Sequence, residues 1–290
     1  MPIAQIFPVG QIFTSFLHPD GIAFATGFER SSFVPPGQGR VLAFYTTTTL
    51  LDPMPGNTGF SPRIERFPDP QALAEAVANI VTAAVSEGVR HHGRAYLILS
   101  GGGTPAIYLP RIARLDLPWN MVNILLADER WVDEDSLHSN TAMLRRTLFS
   151  QTGPTRVNFI PLKNTAASAS AGLAIARAGL PPLDQGYDLA LLGMGNDGHF
   201  ASLFPGTPRL TELLSPENTE RVVAVPPPTN ALPKVERISL TLAEIRRSER
   251  VVLVLQGAAK LEVLNHVSEI ADANQTPVFA LGNIEVLWCP

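Results

Sequence analysis

The residues best equipped for chemistry lie between Leu191 and Thr207, a stretch reading Leu-Leu-Gly-Met-Gly-Asn-Asp-Gly-His-Phe-Ala-Ser-Leu-Phe-Pro-Gly-Thr. Gly193, Gly195 and Gly198 fall close together, with Asp197 and His199 between and after them. Glycine permits positive φ and a close approach of backbone to ligand. On a tight loop, a carboxylate two residues before an imidazole can fix its tautomer and support its basicity, as a general base requires. The same triplet also serves as a plain turn with a capping histidine, so its meaning depends on its surroundings.

Three further clusters suit anions. Ser100-Gly101-Gly102-Gly103-Thr104-Pro105 follows an apolar run and opens a helical one. There backbone N–H groups, a helix N-terminus and two hydroxyls can converge on a phosphate; the bland alternative is a tight turn. The stretch is neither a G-x-G-x-x-G fingerprint nor a P-loop, which favours a small phosphoester over a nucleotide. Asp128-Glu129-Arg130 ends the next apolar run, where Arg130 suits bidentate recognition of phosphate or carboxylate, although solvated charges often follow a strand. Gly257-Ala258-Ala259-Lys260 puts a lysine in a first helical turn, against the macrodipole, where a nearby anion would compensate it. Arg237 is a further cation, and Ser139-Asn140 reads first as a helix cap and second as a ligand contact. His91, His92, His138 and His266 lack metal-ligand spacing, and H-E-x-x-H, Cys/His clusters and G-x-S-x-G are absent, so neither a metal site nor a serine-hydrolase elbow is expected.

The elements that must hold these residues alternate. Helical spacing runs from Pro70 to Gly88 or Gly93, then a strand covers Ala95 to Ser100, with Thr104-Pro105 capping the next helix. Strands follow at Val122 to Ala127, Val157 to Ile160, Tyr187 to Leu192, Arg221 to Val225, Ile238 to Leu240 and Val251 to Gln256. Helices are expected at Ser139 to Phe149, Ala166 to Ala178, Thr241 to Arg247 and Ala258 to Ile270, with last short strands at Val278 and Ile284 to Trp288. Near-continuous apolar strands in β-then-α order predict an α/β fold: a doubly wound, mostly parallel β-sheet flanked by helices. Such sheets place their sites beyond the carboxyl ends of the strands, where all four clusters fall.

At 290 residues the chain can bury a sizeable core, and a net charge of -4 offers no general attraction to nucleic acid or anionic membrane. Cys289 is the single cysteine, which rules out an internal disulfide and fits a reducing, cytoplasmic location. No uninterrupted apolar run reaches the roughly 18 residues of a spanning helix, and the start lacks the basic residues of a secretory signal. Residues 1–62 stand apart, with five charges (Asp20, Glu29, Arg30, Arg40, Asp52), Pro/Gly punctuation and no sustained period beyond a candidate strand at Arg40 to Tyr45. An irregular N-terminal extension is therefore expected before a domain at 63–290.

These motifs, taken in order from residue 63 onward, resemble the glucosamine-6-phosphate isomerase/6-phosphogluconolactonase superfamily, and its lactonase branch in particular. The resemblance rests on Leu99 to Pro105, Asp128 to Arg130, Ser139-Asn140, Gly193 to Gly206, Arg237 to Thr241 and Gly257 to Lys260. It implies a Rossmann-like fold and hydrolysis of 6-phospho-D-glucono-1,5-lactone to 6-phospho-D-gluconate without metal or organic cofactor. The implied roles are His199 as base, Asp197 as its support, and Ser100, Gly101, Gly102, Gly103, Thr104, Asp128, Arg130, Arg237 and Lys260 around the substrate. The implied partner is a small phosphosugar lactone, bound by a monomer or weak homo-oligomer. The alternatives are a deaminase-like isomerase or a non-catalytic sugar-phosphate-binding domain. The deaminase branch carries Asn-Glu-Pro soon after its D-G-H loop, where this chain has Ser202-Leu203-Phe204-Pro205. Other departures are Gly103 where Ser is frequent, Asn196 for Pro, and Phe200 for Thr.

Overall fold

The computed structural model describes residues 12–17, 23–28, 59–152, 157–229 and 231–290, and the chain divides into a unit Met1–Thr58 and a unit Gly59–Pro290. In the first unit, β1 (Ile12–Leu17) pairs antiparallel with β2 (Ala23–Phe28), Ile12 opposite Phe28. This departs from the irregular segment expected there. The apolar residues of Ile12–Leu17 occupy both odd and even positions, so no alternation marks the strand in the sequence. The candidate strand at Arg40 to Tyr45 lies outside the described residues.

The second unit begins with β3 (Arg63–Arg66), and Phe60 already joins its core. Helix α1 (Pro70–His92) starts where the Asp69 carboxylate accepts the Ala72 N–H at 2.8 Å and stops where Gly93 turns left-handed at φ 72. By length and composition α1 is apolar enough to cross a bilayer, yet its Leu73, Val77, Val81 and Val85 are buried and the helix packs on the elements that follow. After α1 come β4 (Ala95–Leu99), α2 (Pro105–Ile112), β5 (Val122–Leu126) and, after Ala127 alone, β6 (Asp128–Arg130). Next come α3 (Asn140–Leu144), a π-helical turn at Arg145–Phe149, α4 (Ser150–Thr152), β7 (Asn158–Ile160) and α5 (Ala169–Gly179). The chain continues through β8 (Leu189–Leu192), α6 (Leu210–Leu213), β9 (Val222–Val225), β10 (Arg237–Leu240), α7 (Leu242–Ile245), β11 (Val251–Gln256), α8 (Ala258–Ile270) and β12 (Glu285–Cys289). Two expectations are corrected. Val278 lies in a 3-10 turn, Pro277–Leu281, rather than a strand, and the single helix expected over Ser139 to Phe149 widens to π geometry at Arg145.

Seven parallel strands form the main sheet in the order β3-β12-β11-β8-β4-β5-β7. The chain winds outward from β4 through β5 and β7, then returns to the other side of β4 and winds outward through β8, β11 and β12. The direction therefore reverses between β4 and β8, leaving a crevice beyond their carboxyl ends. Leu97, Ile98 and Leu99 on β4 and Leu189, Leu191 and Leu192 on β8 are buried, and each such side chain contributes about 1.5–3 kcal/mol to folding. At the opposite end of the crevice strands, Asp188 Oδ2 accepts the Tyr96 N–H at 2.6 Å, locking the start of β8 to β4. Gly88 of α1 leaves room for that carboxylate, since a Cβ there would collide with it. A second sheet, β6-β10-β9, is antiparallel and begins where β5 runs out.

Candidate active site

Two loops meet at the switch point. Ser100 to Thr104 leaves β4, Gly193 to Phe200 leaves β8, and the Gly193 N–H donates to Ser100 Oγ at 3.3 Å. Together with β6, β10 and the start of α8 they line a cleft of about 200 Å³. Every residue assigned to substrate from the sequence reaches that cleft: Ser100, Gly101, Gly102, Gly103, Thr104, Asp128, Arg130, Arg237 and Lys260. His199 lines it too, whereas Asp197 stands behind the histidine.

The histidine is fixed from three directions. Its Nδ1 is 2.5 Å from Asp197 Oδ1, and its backbone N–H also donates to that oxygen at 3.3 Å. Phe204 packs against the ring with centroids 4.2 Å apart and planes 42° apart. Gly195 lies beneath the ring, where a Cβ would collide with both His199 and Asp197. With Nδ1 committed to a carboxylate, Nε2 is the nitrogen left to accept a proton. Burial pushes the Asp197 pKa up, but the hydrogen bond and charge of His199 outweigh it and hold the carboxyl below its ordinary value. Ala201, which also lines the cleft, follows at φ 48, which costs a non-glycine residue roughly 1 kcal/mol.

The cations come from three elements. Arg130 on β6 and Arg237 on β10 are register partners, and Lys260 lies in the first turn of α8. Arg130 Nη1 donates to the His138 carbonyl at 2.6 Å, and Arg237 Nη2 to the carbonyls of Leu232 and Pro233 at 3.3 Å. The Nε atoms of both arginines are buried without a partner, which in a folded protein marks a place for an acceptor. Burial lowers the Arg237 pKa; Asp128 opposes that shift and the charge of Arg130 adds to it. Lys260 Nζ donates to Thr104 Oγ1 at 3.2 Å, and burial pulls its pKa below the ordinary value. Among the described residues none of the three has a carboxylate in ion-pair contact. The cleft thus gathers positive charge and unpartnered N–H donors, the complement of an anion's charge and acceptors.

Three local expectations change in detail. Thr104 occupies the N-cap position of α2 but caps nothing, because its hydroxyl receives Lys260 instead. Glu129 is not part of the cleft: buried, it accepts from the N–H groups of Asn140 and Thr141 and from Ser139 Oγ, holding the start of α3. Ser139 is the N-cap, bonding the Ala142 N–H at 3.0 Å, while Asn140 turns into the cleft and fills the space a Gly101 Cβ would need. Met194 and Ala201 also line the cleft and were not singled out from the sequence; their apolar types carry no chemical signal. Phe200, one of the departures from the family pattern, is fully buried and does not line the cleft. Among the described residues no group of three His, Cys, Asp or Glu side chains is placed to hold a metal ion.

The fold and site define a class: a doubly wound α/β protein with a cationic cleft and a carboxylate-backed histidine at its switch point. The family model described as glucosamine-6-phosphate isomerases/6-phosphogluconolactonase matches residues 68–288, and the chain belongs to that family. A 6-phosphogluconolactonase of Caulobacter vibrioides is 37% identical over 235 residues, covering 79% of this chain and 98% of the relative. One of Rhizobium meliloti is 33% identical over 229 residues, covering 77% and 97%. The crystal structure of a 6-phosphogluconolactonase from Shewanella baltica superposes with a TM-score of 0.74 at 32% identity, covering 79% of this chain and 98% of that one.

Proposed function

We propose that this chain is a 6-phosphogluconolactonase, hydrolysing 6-phospho-D-glucono-1,5-lactone to 6-phospho-D-gluconate in the oxidative pentose phosphate pathway. The observation that carries the reading is His199, backed by Asp197 through Nδ1 and lining the same cleft as three cations without carboxylate partners. Family membership and the names of the curated relatives agree with it.

The chemistry follows from the geometry. Arg130, Lys260, the Ser100 hydroxyl and the Gly101 to Thr104 loop hold the phosphate, with Arg237 beside them, so the lactone carbonyl is clamped relative to the histidine. His199 Nε2 takes a proton from water as the water oxygen bonds to C1, and the carbonyl oxygen gains the negative charge. As the carbonyl re-forms, the bond from C1 to the ring oxygen breaks. The imidazolium gives its proton to that leaving oxygen, leaving an open-chain acid that ionises in water. Asp197 stabilises the transient imidazolium and holds the tautomer that exposes Nε2. Binding energy from the remote phosphate thereby supports the reacting end. The proposed catalytic domain spans 63–290, with 1–62 an extension to it, and the enzyme acts in the cytoplasm as a monomer or weak homo-oligomer.

The test is consumption of freshly generated lactone against its spontaneous rate. Acceleration by the wild-type protein, lost in His199→Ala, supports the assignment. A folded protein that leaves the spontaneous rate unchanged rejects it.

A further inference from the structure

Asp128 is the one acid among the described residues lining the cleft, beside the cations Arg130, Arg237 and Lys260 and the imidazole of His199. Asp128 is buried, yet it does not neutralise its cationic neighbours by ion pairing. Its Oδ2 instead accepts the hydroxyl hydrogen of Ser202, a fully buried residue three positions beyond the histidine. Ser202 is itself fixed from behind. Its N–H donates to Ser239 Oγ at 3.1 Å, and Ser239 Oγ donates to the Leu240 carbonyl at 3.0 Å. Ser239 is the register partner of Asp128 across β10 and β6, and Asn140 Nδ2 donates to the Asp128 carbonyl at 2.9 Å. The backbone and one carboxylate oxygen are thus held, while Oδ1 receives no donor from the described residues.

A carboxylate held in this way acts on a sugar phosphate with two signs. It repels the phosphate dianion, which at close range costs energy in a partly desolvated cleft. It attracts hydroxyl hydrogens, since an ionised carboxylate is an acceptor only. The lone acid therefore offers the cleft an acceptor for sugar hydroxyls beside cations suited to the phosphate.

We infer that Asp128 accepts a sugar hydroxyl and is a specificity determinant of this cleft, and that Ser202 is its positioning residue. The identity of the sugar rests on the lactonase reading; the presence of a hydroxyl acceptor among the cations does not. Because Ser202 and His199 share one loop, the hydroxyl reader and the base are set by the same turn, with Ala201 at φ 48 between them. The place of Asp128 around the substrate is thereby specified: a carboxylate serves the polyol, not the dianion.

The experiment compares two probes that need no turnover, inorganic phosphate and glucitol 6-phosphate, titrated calorimetrically into wild type, Ser202→Ala and Asp128→Asn. In the wild type the polyol phosphate binds more tightly than phosphate. In Ser202→Ala that preference shrinks about tenfold, the scale of a hydrogen bond to a charged group, while phosphate affinity stays within about twofold. In Asp128→Asn the two affinities move in opposite directions, phosphate tighter and glucitol 6-phosphate weaker, a pattern that general loosening does not produce. An unchanged preference in folded variants, or equal weakening of both probes, overturns the inference. If Ser202→Ala does not fold, Asp128→Asn decides alone. Lactone turnover is measured separately, so a wild-type protein without lactonase activity would reject the proposed reaction while leaving the binding test intact.

Discussion

Arg130 and Arg237 face each other directly across the antiparallel strands β6 and β10, and the Nε of each is buried without an acceptor. Like charges directly opposite one another in a sheet are destabilising. The arrangement becomes favourable when a dianion sits within reach of both. Replacing Arg237 by Met should therefore leave the ligand-free protein as stable or more stable, since burial already disfavours that charge. Affinity for phosphate should fall about tenfold or more. Thermal melting with and without phosphate reads both effects; a variant with a lower melting temperature and unchanged phosphate affinity would contradict this role.

Asp197→Asn tests the tautomer argument. The amide keeps the size of the carboxylate but can donate to Nδ1, turning the wrong nitrogen toward water. Loss of kcat by about 10²–10⁴-fold with little change in KM is expected, and His199→Ala should match or exceed it. Near-wild-type kcat in Asp197→Asn would show that Asp197 only shapes the loop.

Lys260 links phosphate binding to pH. Burial lowers its pKa in the free protein, and a bound dianion raises it again. The binding contribution is then full below the free-protein pKa and is lost as pH rises through the bound-state value. Calorimetry in buffers of different ionisation enthalpy should detect proton uptake on phosphate binding in the alkaline range. Lys260→Met should abolish that uptake. Equal uptake in the variant would place the titration elsewhere.

Two glycines should respond in opposite ways. A Cβ at Gly103 meets nothing within 4 Å, and its φ lies outside the left-handed region. Gly103→Ser should change stability by less than about 0.5 kcal/mol, and by adding a hydroxyl to the phosphate loop it should lower KM. At Gly195 a Cβ would strike the His199 ring and Asp197, so Gly195→Ala should reduce kcat severely even if the protein folds. Steady-state kinetics on both variants decides; an inactive Gly103→Ser or a fully active Gly195→Ala would refute the steric reading.

Glu244, buried on α7, is held by Arg221 at 2.6 Å, by Arg247 at 3.0 Å and by the hydroxyl of Tyr187. Burial pulls its pKa up, but the hydrogen bonds from Arg221 and Tyr187 and the two positive charges outweigh it and hold the pKa down. A depressed folded-state pKa gives stability that is present above the ordinary carboxylate pKa and is lost as pH falls through the folded value. Glu244→Gln should destabilise by about 3–5 kcal/mol at neutral pH and flatten the acid limb of the stability curve. Denaturation at several pH values measures it; an unchanged acid limb would assign the acid sensitivity to other groups.

Much of this was legible because the signals are local. Pro70 and Gly93 bound α1, and the apolar runs from Ala95, Val122 and Val251 are fully or largely buried strands of the parallel sheet. Glycine spacing marked both loops at the switch point, and a lysine at an unfavourable helix end marked Lys260. The three-residue β6 escaped notice because no period can be read in Asp-Glu-Arg, and only its pairing with β10 makes it a strand. Glu129 and Thr104 changed roles for a related reason: which group a side chain bonds depends on neighbours brought from distant parts of the chain.

The sequence by itself determined the alternation of elements and the family, and it singled out the histidine and the three cations that line one cleft, because residue type and spacing carry those signals directly. Only the tertiary structure decided that Arg130 opposes Arg237, that Asn140 fills the space under Gly101, and that Ser202 holds Asp128. Those relationships join residues separated along the chain, and strand order and register, set by packing of the whole sheet, bring them within bonding distance.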